Sequence, residues 1–171
     1  MASILKVDTL QKPDGSTPTA ADLGIDVAGS VVQVYEHSFT ETTMITTTAL
    51  SDVTGSSFSF TPKYPDSKVI VTMIISCNWQ DASDAAGGSY QLYIDGVKVT
   101  SYPAHLVYGD FNSTNIDQYV PVVTQHSFVA GSVTAKTLSL KAQMYQSDDT
   151  RMAINNAGGY VSVITVYEIA Q

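Results

Sequence analysis

Three histidines, one cysteine and sixteen carboxylates are the side chains that could run catalysis or hold a metal in this 171-residue chain. His37, His105 and His126 stand far apart, and none has a cysteine or carboxylate at metal-ligand spacing. Cys77 falls on the apolar side of an alternating run, the setting of a buried inert thiol rather than a nucleophile. Asp81, Asp84, Asp148 and Asp149 lie in expected loops without the ordered alternation of oxygen ligands that a calcium loop needs, and read as solvated turn carboxylates. Gly-x-Ser-x-Gly, P-loop and Gly-x-Gly-x-x-Gly patterns are absent. The triplet Asn112, Ser113, Thr114 meets the glycosylation sequon, which carries weight only in a secreted eukaryotic protein. No catalytic residue, metal or cofactor is expected, and the chain reads as non-enzymatic. One cluster suits binding instead. Tyr102, His105, Tyr108, Phe111, Asn112, Asn115 and Asp117 gather aromatic faces beside amides and a carboxylate, as sugar recognition requires. Tyr102, Tyr108 and Phe111 are its candidate glycan contacts, with ordinary loop packing as the plainer use of the same residues.

The elements that must position these groups are strands. Val and Thr (19 each), Ile (11) and Tyr (10) dominate, and such β-branched and aromatic side chains fit a pleated, half-buried surface. Over residues 68–79 the odd positions Val69, Val71, Met73, Ile75, Cys77 and Trp79 are apolar and the even ones mixed, which predicts a long strand with one buried face. Residues 137–146 alternate as cleanly, with Leu138, Leu140, Ala142 and Met144 inward. Weaker alternation marks 57–61 and 89–94, and Asp95-Gly96 predicts a tight hairpin from 89–94 into 97–101. Further strands are expected at 30–39, 44–53, 104–108, 118–130 and 160–170, with Pro121 requiring an edge, bulge or break. Helix signals are confined to one short turn at 19–23. Some ten strands without intervening helices predict an all-β fold, an antiparallel sandwich, jelly roll or barrel.

Charge narrows the partners. Eight Lys and Arg against sixteen Asp and Glu give a net charge of −8, and Ser and Thr fill 38 positions. Scattered basic residues argue against nucleic acid and against anionic membrane surfaces. The longest apolar runs fall well short of the ~20 residues of a membrane helix. The single cysteine excludes an internal disulfide, and the start lacks a basic segment followed by an apolar one, so the chain reads as made in a cytoplasm.

Two segments look beyond the single subunit. Residues 1–28 are irregular and turn-rich, with Pro13-Asp14-Gly15 as a reverse turn, and precede a β-domain at 29–171. Ile4, Leu5, Val7, Leu10, Leu23 and Ile25 are too few for a core and too many for a spacer, so this arm should dock, either on its own domain or in a neighbouring protein of an assembly. The strand at 160–170 is apolar on both sides. Val161, Val163, Tyr167 and Ile169 form one face, and Tyr160, Ile164 and Val166 form the other. Its second face is covered either by a loop or by another subunit. With the mixed second face of 68–79 counted too, Tyr160, Ile164 and Val166 are read as a subunit interface.

Four segments resemble a protein type of marine tailed bacteriophages, cyanophages in particular. Leu5-Lys6-Val7-Asp8-Thr9-Leu10-Gln11 is similar to the amino-terminal tag of their fibre-like virion proteins, and Gly29-Ser30-Val31-Val32-Gln33-Val34 to the segment that opens their β-domain. Pro62-Lys63-Tyr64-Pro65-Asp66-Ser67-Lys68-Val69-Ile70-Val71 resembles their proline and Ser-Lys signature before an apolar strand, and Val166-Tyr167-Glu168-Ile169-Ala170 their carboxy terminus. The resemblance implies a jelly-roll head of the complement or tumour-necrosis-factor type, preceded by an extended arm. It implies a homotrimer on the virion surface, either a capsid decoration (cement) protein or a short tail fibre, partnered by itself and by capsid or tail proteins. Host-surface glycan is the further partner if the chain acts as a carbohydrate-binding module. A repetitive shaft is absent, which argues against a long fibre.

Overall fold

The computed structural model describes residues 11–17, 28–81, 85–104, 106–110, 116–145, 151–156 and 159–171. Ile4, Leu5, Val7, Leu10, Leu23, Ile25, the turn at 19–23, His105 and Phe111 lie outside these. Twelve strands occur among the described residues: β1 (Val31–Phe39), β2 (Thr43–Ile45), β3 (Ser51–Asp52), β4 (Phe58–Phe60), β5 (Lys68–Asp81), β6 (Ala85–Ile94), β7 (Val97–Lys98), β8 (Val107–Asp110), β9 (Ile116–Val129), β10 (Lys136–Met144), β11 (Arg151–Ile154) and β12 (Ser162–Ile169). All pairings are antiparallel and fall into two sheets.

In the first sheet β5 is central. β9 runs along one side of it, and β12 and β11 share the other, followed outward by β1 and β2. In the second, β10 lies between β6 and the short strands β3 and β4, and β6 carries β7 and β8 beyond it. The principal orders, β1-β12-β5-β9 and β4-β10-β6-β8, alternate between sheets along the chain as a jelly roll does.

The core follows from the two-residue repeat. Val69, Val71, Met73, Ile75, Cys77 and Trp79 of β5 are all buried and face Tyr90, Leu92 and Ile94 of β6 and Leu138, Leu140, Ala142 and Met144 of β10. Asp95 (φ 52°) and Gly96 (φ 78°) both take positive φ, as the tight hairpin turn demands. Among the described residues β9 pairs with β5 alone, so Pro121 sits in an edge strand, where its missing N–H costs no ladder bond. Pro13-Asp14-Gly15 does form a reverse turn, closed by the Gly15 N–H on the Lys12 carbonyl at 2.9 Å.

Three expectations shift. The strand expected at 44–53 splits into β2 and β3, which belong to different sheets. The strand after the hairpin stops at Lys98 because side chains take over from the ladder. Thr100 Oγ1 accepts the Leu92 N–H at 2.8 Å, and Gln91 bonds both the N–H and the C=O of Tyr102. β11 leaves no periodic signal in the sequence, since four residues between polar loops are too short for a period.

Buried hydroxyls and amides tie the connections. Asn155 takes φ 55° where β11 turns away. Its Nδ2 donates to the Phe39 carbonyl at 2.9 Å, and its Oδ1 accepts from Ser162 Oγ at 2.7 Å. At the other end of the first sheet, the buried Glu168 gathers the 62–67 turn. Lys63 N–H reaches both of its carboxylate oxygens at 2.9 Å, and Oε1 also accepts from Tyr64 N–H at 2.9 Å and Ser67 Oγ at 2.7 Å.

Candidate functional site

Two features of the first sheet could engage a partner, and both lie on its outward side. The register lines up Val129, Lys68, Ile169 and Val31, then Ser127, Ile70, Tyr167 and Val34 in the next row. Gln125, Thr72, Thr165 and Glu36 follow, then Val123, Ile74, Val163 and Ser38. Val123 is 63% exposed, Val34 57% and Ile74 42%. Charge enters these rows only through Lys68 at one end and Glu36 on the β1 edge. The surface is therefore apolar and hydroxyl-bearing where an ordinary outward sheet face is charged.

The interface residues expected on this strand need correction. Ile164 and Val166 are fully buried in the core between the sheets and present nothing to a second subunit. The outward positions of β12 are Val163, Thr165 and Tyr167. The reason is that the inward face contains Ser162 and Glu168 as well as Ile164 and Val166, so in the sequence it looks the less apolar of the two. Both polar groups are buried because partners distant in the chain satisfy them. Tyr160 precedes the strand and is exposed.

Tyr160 belongs to the second feature. Its ring stacks on Tyr119 with centroids 4.9 Å apart and planes 15° from parallel. The pair borders a cleft of about 240 Å³ together with Ser76, Asn78, Pro121 and Asn156. Asn156 Nδ2 donates to Asn78 Oδ1 at 2.9 Å, whereas the buried Asn78 Nδ2 has no acceptor among the described residues. No signal pointed to this grouping in advance, because β5, β9 and the segment before β12 meet there only through the fold.

Of the expected glycan contacts, the two described tyrosines, Tyr102 and Tyr108, are not brought together, and Phe111 lies outside the described residues. Tyr102 packs against the core, edge-on to Tyr90, with its hydroxyl on the Gln125 carbonyl. Tyr108 pairs with Gly87 on the outward side of the second sheet and meets Tyr145 edge-on. The two tyrosines thus serve opposite sides of that sheet and form no common platform.

Burial pushes the Cys77 thiol up to about 12, the behaviour of an inert core thiol. His37 Nε2 lies 2.7 Å from the Gly55 carbonyl and its ring stacks on Phe58. His126 is partly buried, and desolvation lowers its pKa. Among the described residues no three His, Cys, Asp or Glu side chains are grouped to hold a metal ion, and no helix is long and apolar enough to cross a membrane.

No protein-family model matches the chain, and no curated protein matches it. Among solved structures the chain is similar to dimeric latent PorU from Porphyromonas gingivalis, at 12% identity and a TM-score of 0.33, over 84% of this chain and 14% of that one. It is also similar to a chain of the infectious bursal disease virus Gx strain, at 9% identity and a TM-score of 0.30, over 97% of this chain and 47% of that one. The chain thus spans well under two thirds of either protein.

Proposed function

We propose that this chain is a non-enzymatic structural protein of a tailed-phage virion, a homotrimer displayed on the particle as a capsid decoration protein or short tail fibre. Residues 1–28 are its anchor to neighbouring virion proteins. The observation that carries this reading is the outward face of the first sheet. Its four rows span seven residues along β5, β9 and β12 and the matching part of β1, about 440 Å² in projection, from a rise of ~3.3 Å per residue and a strand spacing of ~4.8 Å. Nine of the sixteen residues in these rows are apolar, the character of a surface that engages a partner, and the face carries few charges to desolvate on packing. The four phage-like segments support the same reading, and two of them, 62–71 and 166–170, meet in the fold at Glu168.

Light scattering on the full chain tests it. The expected mass is about three times the 18.3 kDa subunit, and Ile74→Asp or Tyr167→Asp should give a folded monomer, since both side chains point away from the core. A monodisperse wild-type monomer at micromolar concentration would overturn the trimer. Removing residues 1–28 should abolish incorporation into particles, and full occupancy by the truncated protein would refute the anchor.

A further inference from the structure

We propose that the cleft between Tyr119, Tyr160, Pro121 and the Asn78–Asn156 amide pair is a binding site for one neutral pyranose unit of a glycan. The inference concerns ligand recognition and stands independently of the assembly reading. Three properties of the cleft select this chemistry.

The first is the aromatic wall. Tyr119 and Tyr160 are 43% and 40% exposed, yet each is held by the other in a near-parallel stack, so the wall is formed before a ligand arrives. A sugar presents C–H groups on one face of its ring, and these pack on aromatic and proline surfaces.

The second is the unmet amide. Asn78 is almost fully buried, its Oδ1 is taken by Asn156, and its Nδ2 finds no acceptor among the described residues. A buried polar group in this condition costs stability. If both amides are turned about, the unmet atom becomes an acceptor instead. A hydroxyl meets either case, because it both donates and accepts. A purely apolar ligand would meet neither.

The third is charge and size. Among the described residues no charged side chain lines the cleft, and the chain carries a net −8, so uronic or sialic acids would be repelled without a compensating cation. A volume of about 240 Å³ holds one sugar ring rather than a chain of them.

The test is saturation-transfer NMR on the full chain with glucose, galactose, mannose and N-acetylglucosamine, with glucuronate as the anionic comparison. At least one neutral sugar should bind saturably in the millimolar range and glucuronate should not. Tyr119→Ala and Tyr160→Ala should each weaken that binding about tenfold, the equivalent of one lost ring-stacking contact. Tyr108→Ala, on the other sheet, should leave it unchanged. Wild-type protein gives a second readout free of any folding question, since the side-chain amide resonances of Asn78 and Asn156 should move on titration. Absence of binding by all four neutral sugars, unchanged binding in both tyrosine variants, or shifts confined to other residues would overturn the proposal.

Discussion

Replacing Glu168 separates an organising carboxylate from an incidental one. Oε1 accepts three hydrogen bonds, from Lys63 N–H, Tyr64 N–H and Ser67 Oγ, whereas Oε2 shares only the Lys63 N–H. Glu168→Gln can therefore keep its amide oxygen in the Oε1 position and all three acceptor contacts, but it loses their charge assistance and turns an NH2 group towards the Lys63 N–H, at a cost of about 2 kcal/mol. Glu168→Ala leaves all three donors without their acceptor. Bonds to a charged group contribute roughly 1.5–3 kcal/mol each. Lys63 and Tyr64 are exposed and regain water in part, so the expected loss is about 3–5 kcal/mol. For a domain of this length that lowers the melting temperature by about 10 °C. Thermal and urea unfolding at one fixed protein concentration measures both variants, the fixed concentration being needed because assembly adds to apparent stability. Should Glu168→Ala fall within about 1 kcal/mol of wild type, or Glu168→Gln be as damaging as Glu168→Ala, the carboxylate does not organise the 62–67 turn.

Cys77 should resist alkylation in the native protein at pH 8 and react at once in denaturant, because burial holds its thiol near 12 against 9.0 when free; rapid native labelling would contradict its burial. The same shift has a sign for stability. The folded chain keeps a proton that the unfolded chain releases above pH 9.0, so stability is intact below that value and falls as pH rises towards 12. Tyr90, whose pKa burial also raises, acts in the same direction, and melting temperatures across pH 8 to 11 should decline accordingly. Gly88→Ala should cost about 2–3 kcal/mol by overpacking. A Cβ there would lie 2.7 Å from the Gln143 carbonyl oxygen and 3.1 Å from the Trp79 ring, and an unchanged urea midpoint would show that the sheets can part at no cost.

The strands with one apolar and one polar side were legible in the sequence because their pattern is local. In β5 and β10 each inward residue is apolar, so period and burial agree without reference to any partner. The Asp95-Gly96 turn was legible for the same reason, since it follows from backbone constraints within a few residues, while Pro121 allowed an edge, a bulge or a break, of which the structure takes the edge. Among the outward hydroxyls, Ser57, Ser59 and Thr137 are exposed and Ser139 is half-buried. Other hydroxyls, at Ser56, Ser67 and Ser162, are buried instead and replace or cap backbone bonds at the connections. That division was not legible, because it depends on which carbonyl or N–H the fold brings within reach.

What the chain determined by itself was therefore the long alternating strands, the all-β class and the low charge of its surface, each a property of neighbouring residues. Only the tertiary structure decided which side of β12 is inside. Ser162 and Glu168 can be buried there solely because Asn155, Ser76 and the 62–67 turn arrive to satisfy them. Only the tertiary structure, likewise, joined Asn78, Tyr119, Asn156 and Tyr160 into one cleft. Hydrogen bonding and packing act across about 3–5 Å of space whatever the separation along the chain, and no periodicity in the sequence records those encounters.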